Sequence, residues 1–214
     1  MISDYLAFFT ELPSSFKDIG SVIPSSRFLV NELVKAMPPK TEQNSGKRRI
    51  LEVGAGTGVL TKKIIDLIEK DDEFHVYEIN KSFCVHLEKL IGSLNGKASN
   101  VKLFSTDILE LDVSEDEKYD VIFCGLPFMN FSPELVDQML SLLVSSLKKG
   151  GTLAYFGYLA LPKIRQLYVN DKEKKRIKEV LACLDKYNSQ ANNARREKVF
   201  LNIPPAHGTF LHYS

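Results

Sequence analysis

The chain has 214 residues, enough for one well-buried domain with a short extension, and its composition is ordinary for a soluble globular protein. Its formal net charge is +1, and its three cysteines lack C-x-x-C spacing, which predicts reduced thiols in the cytoplasm. No segment reaches the ~20 consecutive apolar residues of a membrane span, and the start lacks a basic region followed by an apolar stretch. We therefore expect a protein that is neither secreted nor integral to a membrane, and no metal site.

The first 27 residues combine an apolar stripe with a slightly acidic balance. Apolar residues recur at helical spacing, which predicts an amphipathic helix: Ile2, Leu6, Phe9, Leu12 and Phe16. Residues 1–27 hold two basic and three acidic side chains, unlike a basic lipid-binding helix. We divide the chain into an N-terminal helical segment, 1–45, and a main domain, 46–214. Whether the stripe packs as a lid or contacts a membrane stays open.

A glycine-rich turn follows the first predicted strand. Residues 50–53 predict a buried strand, and Gly54, Gly56 and Gly58 stand between it and a helix-like segment. Glycines admit positive φ and let a ligand approach the backbone closely. A dinucleotide fingerprint needs its third glycine at position 59, where this chain has Val59, so NAD is disfavoured.

Two acidic residues end the next predicted strands. Residues 74–78 are expected to form a strand that ends in Glu78, and residues 101–107 a strand that ends in Asp107. The first carboxylate can accept hydrogen bonds from two ribose hydroxyls, and the second can accept one from the adenine amine. Alternatively, both acids cap the helices that follow them.

The remaining elements alternate between helix and strand. Further strands are predicted at 119–124 and 152–156, and helices are predicted at 58–70, 80–93, 133–147 and 172–187. Ser132 and Pro133 predict a helix start, and Gly150 with Gly151 predicts the end of that helix. This alternation implies βαβ units around a parallel sheet.

The C-terminal part of the chain carries two strand-like runs and most of the basic charge. Residues 198–203 and 209–213 are joined by a tight connection, which makes them antiparallel neighbours. Residues 161–200 hold eleven Lys or Arg and five Asp or Glu. This basic excess predicts either attraction to phosphate groups on nucleic acid or lipid, or simply a solvated helix face.

The glycine turn and the two acids together resemble the motifs of class I S-adenosylmethionine (AdoMet) methyltransferases. The resemblance implies an α/β, Rossmann-like fold with a mostly parallel seven-stranded sheet, a C-terminal antiparallel hairpin strand and an N-terminal helical lid. It implies AdoMet as cofactor and S-adenosylhomocysteine as product. The residues implied to bind the cofactor are Glu52, Gly54, Ala55, Gly56, Gly58, Glu78, Ile79, Asp107, Ile108, Gly125 and Leu126.

Three further segments narrow the resemblance. Residues 20–27, Gly125-Leu126-Pro127 and the Asn-Ile-Pro-Pro-Ala run at 202–206 are similar to the soluble bacterial phosphatidylethanolamine N-methyltransferases. These enzymes resemble the ribosomal RNA adenine dimethyltransferases in core sequence. The RNA enzymes carry Asn or Asp where this chain has Gly125, so a hydrogen bond that would select a base is missing here, although Phe128 remains for stacking. The chain also lacks the closing Arg of the lipid enzymes, which leaves the phosphate contact open.

By this resemblance, we expect stepwise methylation of the amine of phosphatidylethanolamine or a related amino-lipid. The expected protein is cytoplasmic and bound peripherally to the anionic inner leaflet, with no DNA and no obligate protein partner. Candidates for placing the amine are Tyr155, Tyr158 and Asn130, and candidates for substrate contact are Ser25, Arg27, Lys163 and Arg165. Two alternatives stay open: an RNA adenine N6-methyltransferase, and a catalytically idle protein that binds AdoMet or a membrane.

Overall fold

A computed structural model describes residues 27–39, 46–94, 99–159 and 166–214. Within these ranges the strands are β1 (Arg49–Val53), β2 (Glu73–Tyr77), β3 (Val101–Phe104), β4 (Tyr119–Cys124), β5 (Leu147–Tyr158), β6 (Asn193–Val199) and β7 (Ala206–His212). The α-helices are α1 (Arg27–Leu33), α2 (Val59–Ile65), α3 (Lys81–Ser93), α4 (Pro133–Ser145) and α5 (Asp171–Gln190). Short 3-10 turns span Val34–Ala36, Ile108–Glu110, Glu115–Glu117 and Phe128–Asn130.

The strands form one seven-stranded sheet in the order β3-β2-β1-β4-β5-β7-β6. Strands β1 to β5 pair in parallel, and β7 lies antiparallel between β5 and β6. This confirms the predicted fold class of a mostly parallel sheet with a C-terminal antiparallel strand. The strand order reverses between β1 and β4, and sheets of this kind bind ligands at the carboxyl ends of the strands at such a point.

Helices cover both faces of the sheet, which explains why the central strands are almost entirely buried. One core cluster lies between the sheet and α4 and α5, and the other between the sheet and α1, α2 and α3. Polar caps fix three helix starts, because the side chains of Asn80, Ser132 and Asn170 each accept a backbone N–H from the first turn. The sequence predicted Ser132 as the cap of α4 and Pro133 as its first residue.

Several predicted boundaries were wrong. Helix α4 ends at Ser145, and Gly150 and Gly151 lie inside β5 instead of ending the helix. The β4–β5 register shifts at this point, and Gly150 adopts a φ of 82°. At Gly151 a Cβ would lie 2.9 Å from the carbonyl oxygen of Lys148. The two glycines therefore permit a bulge in β5. Glycines are common at bulges as well as at helix ends.

Three other elements end earlier than predicted. Helix α2 stops at Ile65 rather than residue 70. Strand β3 stops at Phe104, so Asp107 lies three residues beyond it. Strand β6 ends at Val199, and most of the predicted run 198–203 belongs to the connection to β7. The antiparallel pairing of these two strands was predicted correctly.

Helix α1 packs against β6 and β7, with Leu29, Val30 and Leu33 buried in the core. Residues 1–26 and 40–45 lie outside the described residues, so the predicted amphipathic stripe and the division of the chain at residue 45 stay predictions. In the part of the chain that the structure describes, no helix combines the length and apolarity needed to cross a membrane.

Candidate cofactor and acceptor site

The glycine turn after β1 has three residues with positive φ, at 72° for Gly54, 55° for Gly56 and 77° for Gly58. A Cβ at Gly54 would lie 2.8 Å from Leu126, and one at Gly58 would lie 2.7 Å from Leu90. At Gly56, in contrast, no atom of the described chain lies within 4 Å of a Cβ position. The outer glycines thus allow close packing, while the middle one faces open space where a ligand can approach the backbone.

Glu78 directly follows β2 and points its carboxylate at this turn. The Gly56 amide donates a 2.8 Å hydrogen bond to Oε2, and the Asn80 amide donates one of 2.8 Å to Oε1. Burial raises the pKa of Glu78, and the backbone donors oppose that shift. Each oxygen retains a lone pair for a further donor. Asn80 rather than Glu78 caps α3, so the capping alternative does not account for Glu78.

Glu52, two residues before Gly54, is a buried acid with an unmet hydrogen bond. Within the described residues, its Oε2 has no hydrogen-bond partner. Burial raises the pKa of Glu52 to about 8, with Thr61 acting against the shift and the charge of Glu78 adding to it. The side chain is therefore mostly protonated, and so neutral, at neutral pH.

A small cleft opens beside the turn. Its lining residues are Val53, Gly54, Tyr77, Glu78, Ile79, Thr106, Ile108 and Leu126. Asp107 is buried next to this wall, and its Oδ1 accepts a hydrogen bond of 3.0 Å from the Leu109 amide. Asp107 therefore caps the 3-10 turn that follows it, as the capping alternative predicted, and its neighbours Thr106 and Ile108 line the cleft.

Three lining residues were missed from the sequence: Val53, Tyr77 and Thr106. Val53 and Tyr77 are the last residues of β1 and β2. The carboxyl ends of parallel strands form the ligand edge of such a sheet, so their strand-end positions were a usable signal. Thr106 follows β3 in the connection to Asp107 and carried no comparable signal.

The residues of this cleft fit AdoMet. Its ribose hydroxyls match the acceptors of Glu78, and its adenine matches the apolar walls of Ile79 and Ile108. The open backbone at Gly56 leaves room for the amino-acid end. When bound, AdoMet supplies an activated methyl group, and the protein chiefly has to position the acceptor.

The connection after β4 adjoins the glycine turn. The Gly125 amide donates a 2.8 Å hydrogen bond to the carbonyl oxygen of Val53. A Cβ at Gly125 would lie 2.6 Å from the carbonyl oxygen of Gly54, a contact that the backbone cannot accommodate without moving. Position 125 therefore has no room for a side chain unless the Gly54 backbone moves.

Arg176 of α5 holds the same connection from the other side. Its Nη2 donates to the Met129 carbonyl oxygen at 2.7 Å, and its Nη1 donates to the Phe131 carbonyl oxygen. Glu173 holds the guanidinium with two further bonds, of 2.7 and 2.6 Å. Part of the basic segment is thus structural, since Arg176 is committed to backbone carbonyls and to a carboxylate.

The predicted amine-placing residues do not form one cluster. Tyr155 is buried in the core cluster under α4 and α5, where its hydroxyl donates to Asn188 at 2.9 Å. Tyr158 lies on the opposite face of β5, edge-on to Phe156. Burial raises the pKa of both hydroxyls. Asn130 ends the 3-10 turn after β4.

The predicted substrate contacts lie largely outside the described residues. Ser25, Lys163 and Arg165 fall there. Arg27 is exposed at the start of α1, with its guanidinium carbon 5.8 Å from the centre of the Phe28 ring. Its role in contacting a phosphate stays a prediction.

Comparison with known proteins agrees with this geometry. Residues 51–153 match the family described as "Methyltransferase domain". The ornithine lipid N-methyltransferase of Singulisphaera acidiphila is 28% identical over 152 residues, covering 68% of this chain and 74% of that protein. The ribosomal RNA small subunit methyltransferase A of Trichormus variabilis is 26% identical over 113 residues, covering 50% of this chain and 39% of that protein.

The fold also matches solved structures. A SAM-dependent methyltransferase from Aquifex aeolicus aligns with a TM-score of 0.64 at 16% identity, covering 92% of this chain and 98% of that one. The glycine turn, the orientation of Glu78 and the reversal of strand order lie together in the matched region. Residues 51–153 are therefore similar to a methyltransferase domain, and the described residues share the fold of a solved SAM-dependent methyltransferase.

Proposed function

We infer that the chain transfers methyl groups from AdoMet to the amine of a lipid head group, either phosphatidylethanolamine or a related amino-lipid such as an ornithine lipid. The observation that carries this proposal is the extent of the match to an ornithine lipid N-methyltransferase, which covers 74% of that relative. The match to the ribosomal RNA enzyme covers 39% of that protein. The lipid relative thus accounts for more of both chains.

The acceptor amine has to lose a proton before it can be methylated. A primary amine with a pKa of ~10.4 is protonated at pH 7, and removing that proton costs roughly 4 to 5 kcal/mol. A site can offset part of this cost by excluding water from the ammonium or by accepting its proton. Methyl transfer then needs the neutral nitrogen held in line with the donor.

Residues after β4 and at the end of β5 are the proposed acceptor wall. Phe128 and Tyr155 are buried and pack edge to face, with ring centres 5.7 Å apart. These buried rings support the wall from behind, and Arg176 holds the adjoining backbone in place. We assign Asn130, in the turn after β4, to positioning the amine, because Tyr155 and Tyr158 lie on opposite faces of β5 and cannot share that role. We assign Ser25, Arg27, Lys163 and Arg165 to contacting the head group.

The proposed setting is the anionic inner surface of the cytoplasmic membrane, without DNA and without an obligate protein partner. A phospholipid substrate is anchored there, so a peripheral enzyme has to meet it at the bilayer surface. The basic excess of residues 161–200 supports such a location, since cationic side chains are attracted to anionic lipid.

Methylation of adenine N6 in RNA is the second candidate, and the matches to ribosomal RNA small subunit methyltransferase A favour it. Two contacts weigh against it. Phe128 is buried and packed edge-on to Tyr155, so its ring face is not presented to a base. Position 125 cannot hold a side-chain amide without a shift of the Gly54 backbone.

Labelled AdoMet separates the two candidates. The full chain is incubated in parallel with vesicles that contain phosphatidylethanolamine, with vesicles that contain an ornithine lipid, and with unmodified ribosomal RNA. We expect label in the lipid extract of one vesicle type, and none with a Glu78→Ala variant. Label in RNA alone would refute the proposal.

A further inference from the structure

Two connections at one edge of the sheet expose large apolar side chains. Among the described residues, the five most exposed large apolar side chains all lie there: Leu167 (77%), Tyr168 (85%), Phe200 (69%), Leu201 (67%) and Ile203 (73%). The next in order, Val85 on α3, is 51% exposed. Exposed apolar side chains that are concentrated in this way mark an interaction surface.

Both connections lie at the edge that carries the glycine turn. Residues 166–168 come between β5 and α5, and residues 200–205 join β6 to β7. Strands β5 and β6 both run parallel to β1, because each pairs antiparallel to β7. Both connections therefore leave the sheet at its carboxyl edge. Strand β7 lies three positions from β1, about 15 Å at the usual strand spacing.

A buried side chain fixes the shape of the connection from β6 to β7. Asn202 is buried, and its side-chain amide donates a 2.7 Å hydrogen bond to the carbonyl oxygen of Pro204. The flanking residues Val199 and Ala206 are buried as well. Phe200, Leu201 and Ile203, here called the apolar loop, project outward around this fixed centre. A loop that is already ordered loses little freedom on binding.

The charged residues beside the apolar loop indicate what kind of surface the loop binds. Arg196 and Lys198 are exposed on β6 just before the loop, and no acidic residue stands between Val199 and Ala206. Glu197 is paired with Arg195 at 3.6 Å. Apolar side chains flanked by long cationic ones are typical of groups that enter a bilayer interface, with the charges at the level of the lipid phosphates.

We propose that the apolar loop inserts into the interface of an anionic bilayer, with Arg196 and Lys198 contacting the head-group phosphates. The cleft opens at the same edge, so this orientation turns the glycine turn towards the head groups. The inference deepens the proposed function and rests on it, because it states how that site reaches a substrate anchored in a membrane. It adds a third candidate docking element to the two predicted from the sequence, the basic segment and the N-terminal stripe.

Tryptophan fluorescence tests the insertion directly, because the chain contains no tryptophan. The variant Leu201→Trp carries a single reporter in the apolar loop, and Val85→Trp carries one on α3 as the matched control. On addition of vesicles with 30% phosphatidylglycerol we expect a blue shift and quenching by brominated acyl chains for Leu201→Trp alone. Unchanged emission, or equal changes in both variants, would overturn the proposal.

Vesicle sedimentation of the full chain measures the contribution to binding. The triple variant Phe200→Ser/Leu201→Ser/Ile203→Ser should bind these vesicles at least tenfold more weakly than the wild type, and Val85→Ser should bind like the wild type. AdoMet affinity and the urea midpoint verify that both variants are folded. Undiminished vesicle binding by a folded triple variant would contradict the proposal. The proposal would also fail if the wild type forms a dimer that the triple substitution disrupts and neither protein binds vesicles.

The outcomes separate this inference from the proposed function. If the Leu201→Trp signal appears but no lipid is methylated, the apolar loop stands and the substrate assignment fails. If lipid is methylated while the reporter stays in water, the loop assignment fails and the function stands.

Discussion

The backbone amide of Gly56 donates a 2.8 Å hydrogen bond to Oε2 of Glu78, so the glycine turn and the strand-end acid are joined before any ligand arrives. The carboxylate is thereby held in the wall of the cleft, where we propose that it accepts hydrogen bonds from the ribose hydroxyls of AdoMet. Because the turn and the acid come from adjacent strands, β1 and β2, their relative position is set by the sheet.

Glu78→Gln should weaken AdoMet binding by about 10- to 100-fold, since hydrogen bonds to a charged acceptor contribute ~1.5–3 kcal/mol each and ~1.4 kcal/mol is tenfold in affinity. Isothermal titration calorimetry measures the change. Glu88→Gln, on the exposed side of α3, is the control and should bind like the wild type. Equal affinities for all three proteins would remove Glu78 from the cofactor site.

Glu52 should make the ligand-free protein less stable as the pH rises. Its pKa is about 8 in the folded chain against an ordinary value of 4.5. A raised pKa means that the folded state holds the proton more tightly, so the stability from protonated Glu52 is complete below pH 4.5 and is lost as the pH rises to about 8. A shift of this size is worth roughly 4 to 5 kcal/mol.

The comparison is made by urea unfolding at pH 5.5 and pH 8.5. The wild-type midpoint should fall at the higher pH, and Glu52→Gln should show a much smaller fall, because its amide does not titrate. Taking the difference between the two proteins removes contributions from other groups, such as His75, whose pKa is lowered by burial. Parallel pH profiles for both proteins would show that Glu52 does not titrate in this range.

Gly125→Ala should destabilise the protein by about 1–3 kcal/mol and reduce AdoMet affinity, because the added methyl group meets the Gly54 carbonyl oxygen at 2.6 Å and pushes the turn away. Gly92→Ala is the matched control. It adds the same methyl group to open space within α3 and should stabilise the helix by roughly 0.5–1 kcal/mol. A Gly125→Ala variant that is as stable as the wild type and binds AdoMet normally would show that the backbone relaxes there.

Arg176→Met should free the connection after β4. Two backbone carbonyl oxygens and one carboxylate lose their donor, and losing hydrogen bonds to a charged group costs ~1.5–3 kcal/mol each when the partners stay buried. We expect a loss of about 2–3 kcal/mol in urea unfolding and faster hydrogen exchange of residues 128–131. Lys178→Met, at an exposed position of α5, should leave both unchanged. Unaltered exchange in the Arg176 variant would show that the connection holds its shape without the guanidinium.

Arg48 and Asp72 form a buried ion pair at the opposite edge of the sheet, with Nε of Arg48 3.0 Å from Oδ2 of Asp72. Burial alone raises the pKa of Asp72, but hydrogen bonds from Arg48 and Glu69 lower it to about 2. Removing one partner of such a pair leaves an uncompensated charge, so Arg48→Met should cost ~3–5 kcal/mol. Lys62→Met, at an exposed position of α2, is the control. A cost below 1 kcal/mol would mean that water replaces the guanidinium.

Local patterns were sufficient for much of the fold. Strand β4 was predicted with its observed bounds, because an apolar run ends there at a glycine and proline. Ser132 and Pro133 marked the start of α4, since both residues favour that position for steric and hydrogen-bonding reasons. The antiparallel hairpin also followed from a short connection.

Features that depend on contacts between residues distant in the sequence could not be predicted. Arg176 bonds to carbonyl groups more than 40 residues away in the sequence, and no local pattern distinguishes it from its solvated neighbours. The placement of Tyr155 and Tyr158 on opposite faces of β5, in contrast, could have been predicted from the sequence. Residues three apart on a strand face opposite sides, so the periodicity already contained that information. Gly150 was ambiguous, because a glycine both ends helices and permits bulges.

The position of β7 bears on how the protein is made. Strand β7 follows every other described strand in the chain, yet it lies in the interior of the sheet, between β5 and β6. During translation, β5 keeps an unpaired edge, and β6 has no neighbour, until β7 has left the ribosome. Nascent chains that stop short of β7 thus present open strand edges to one another, and such edges promote aggregation.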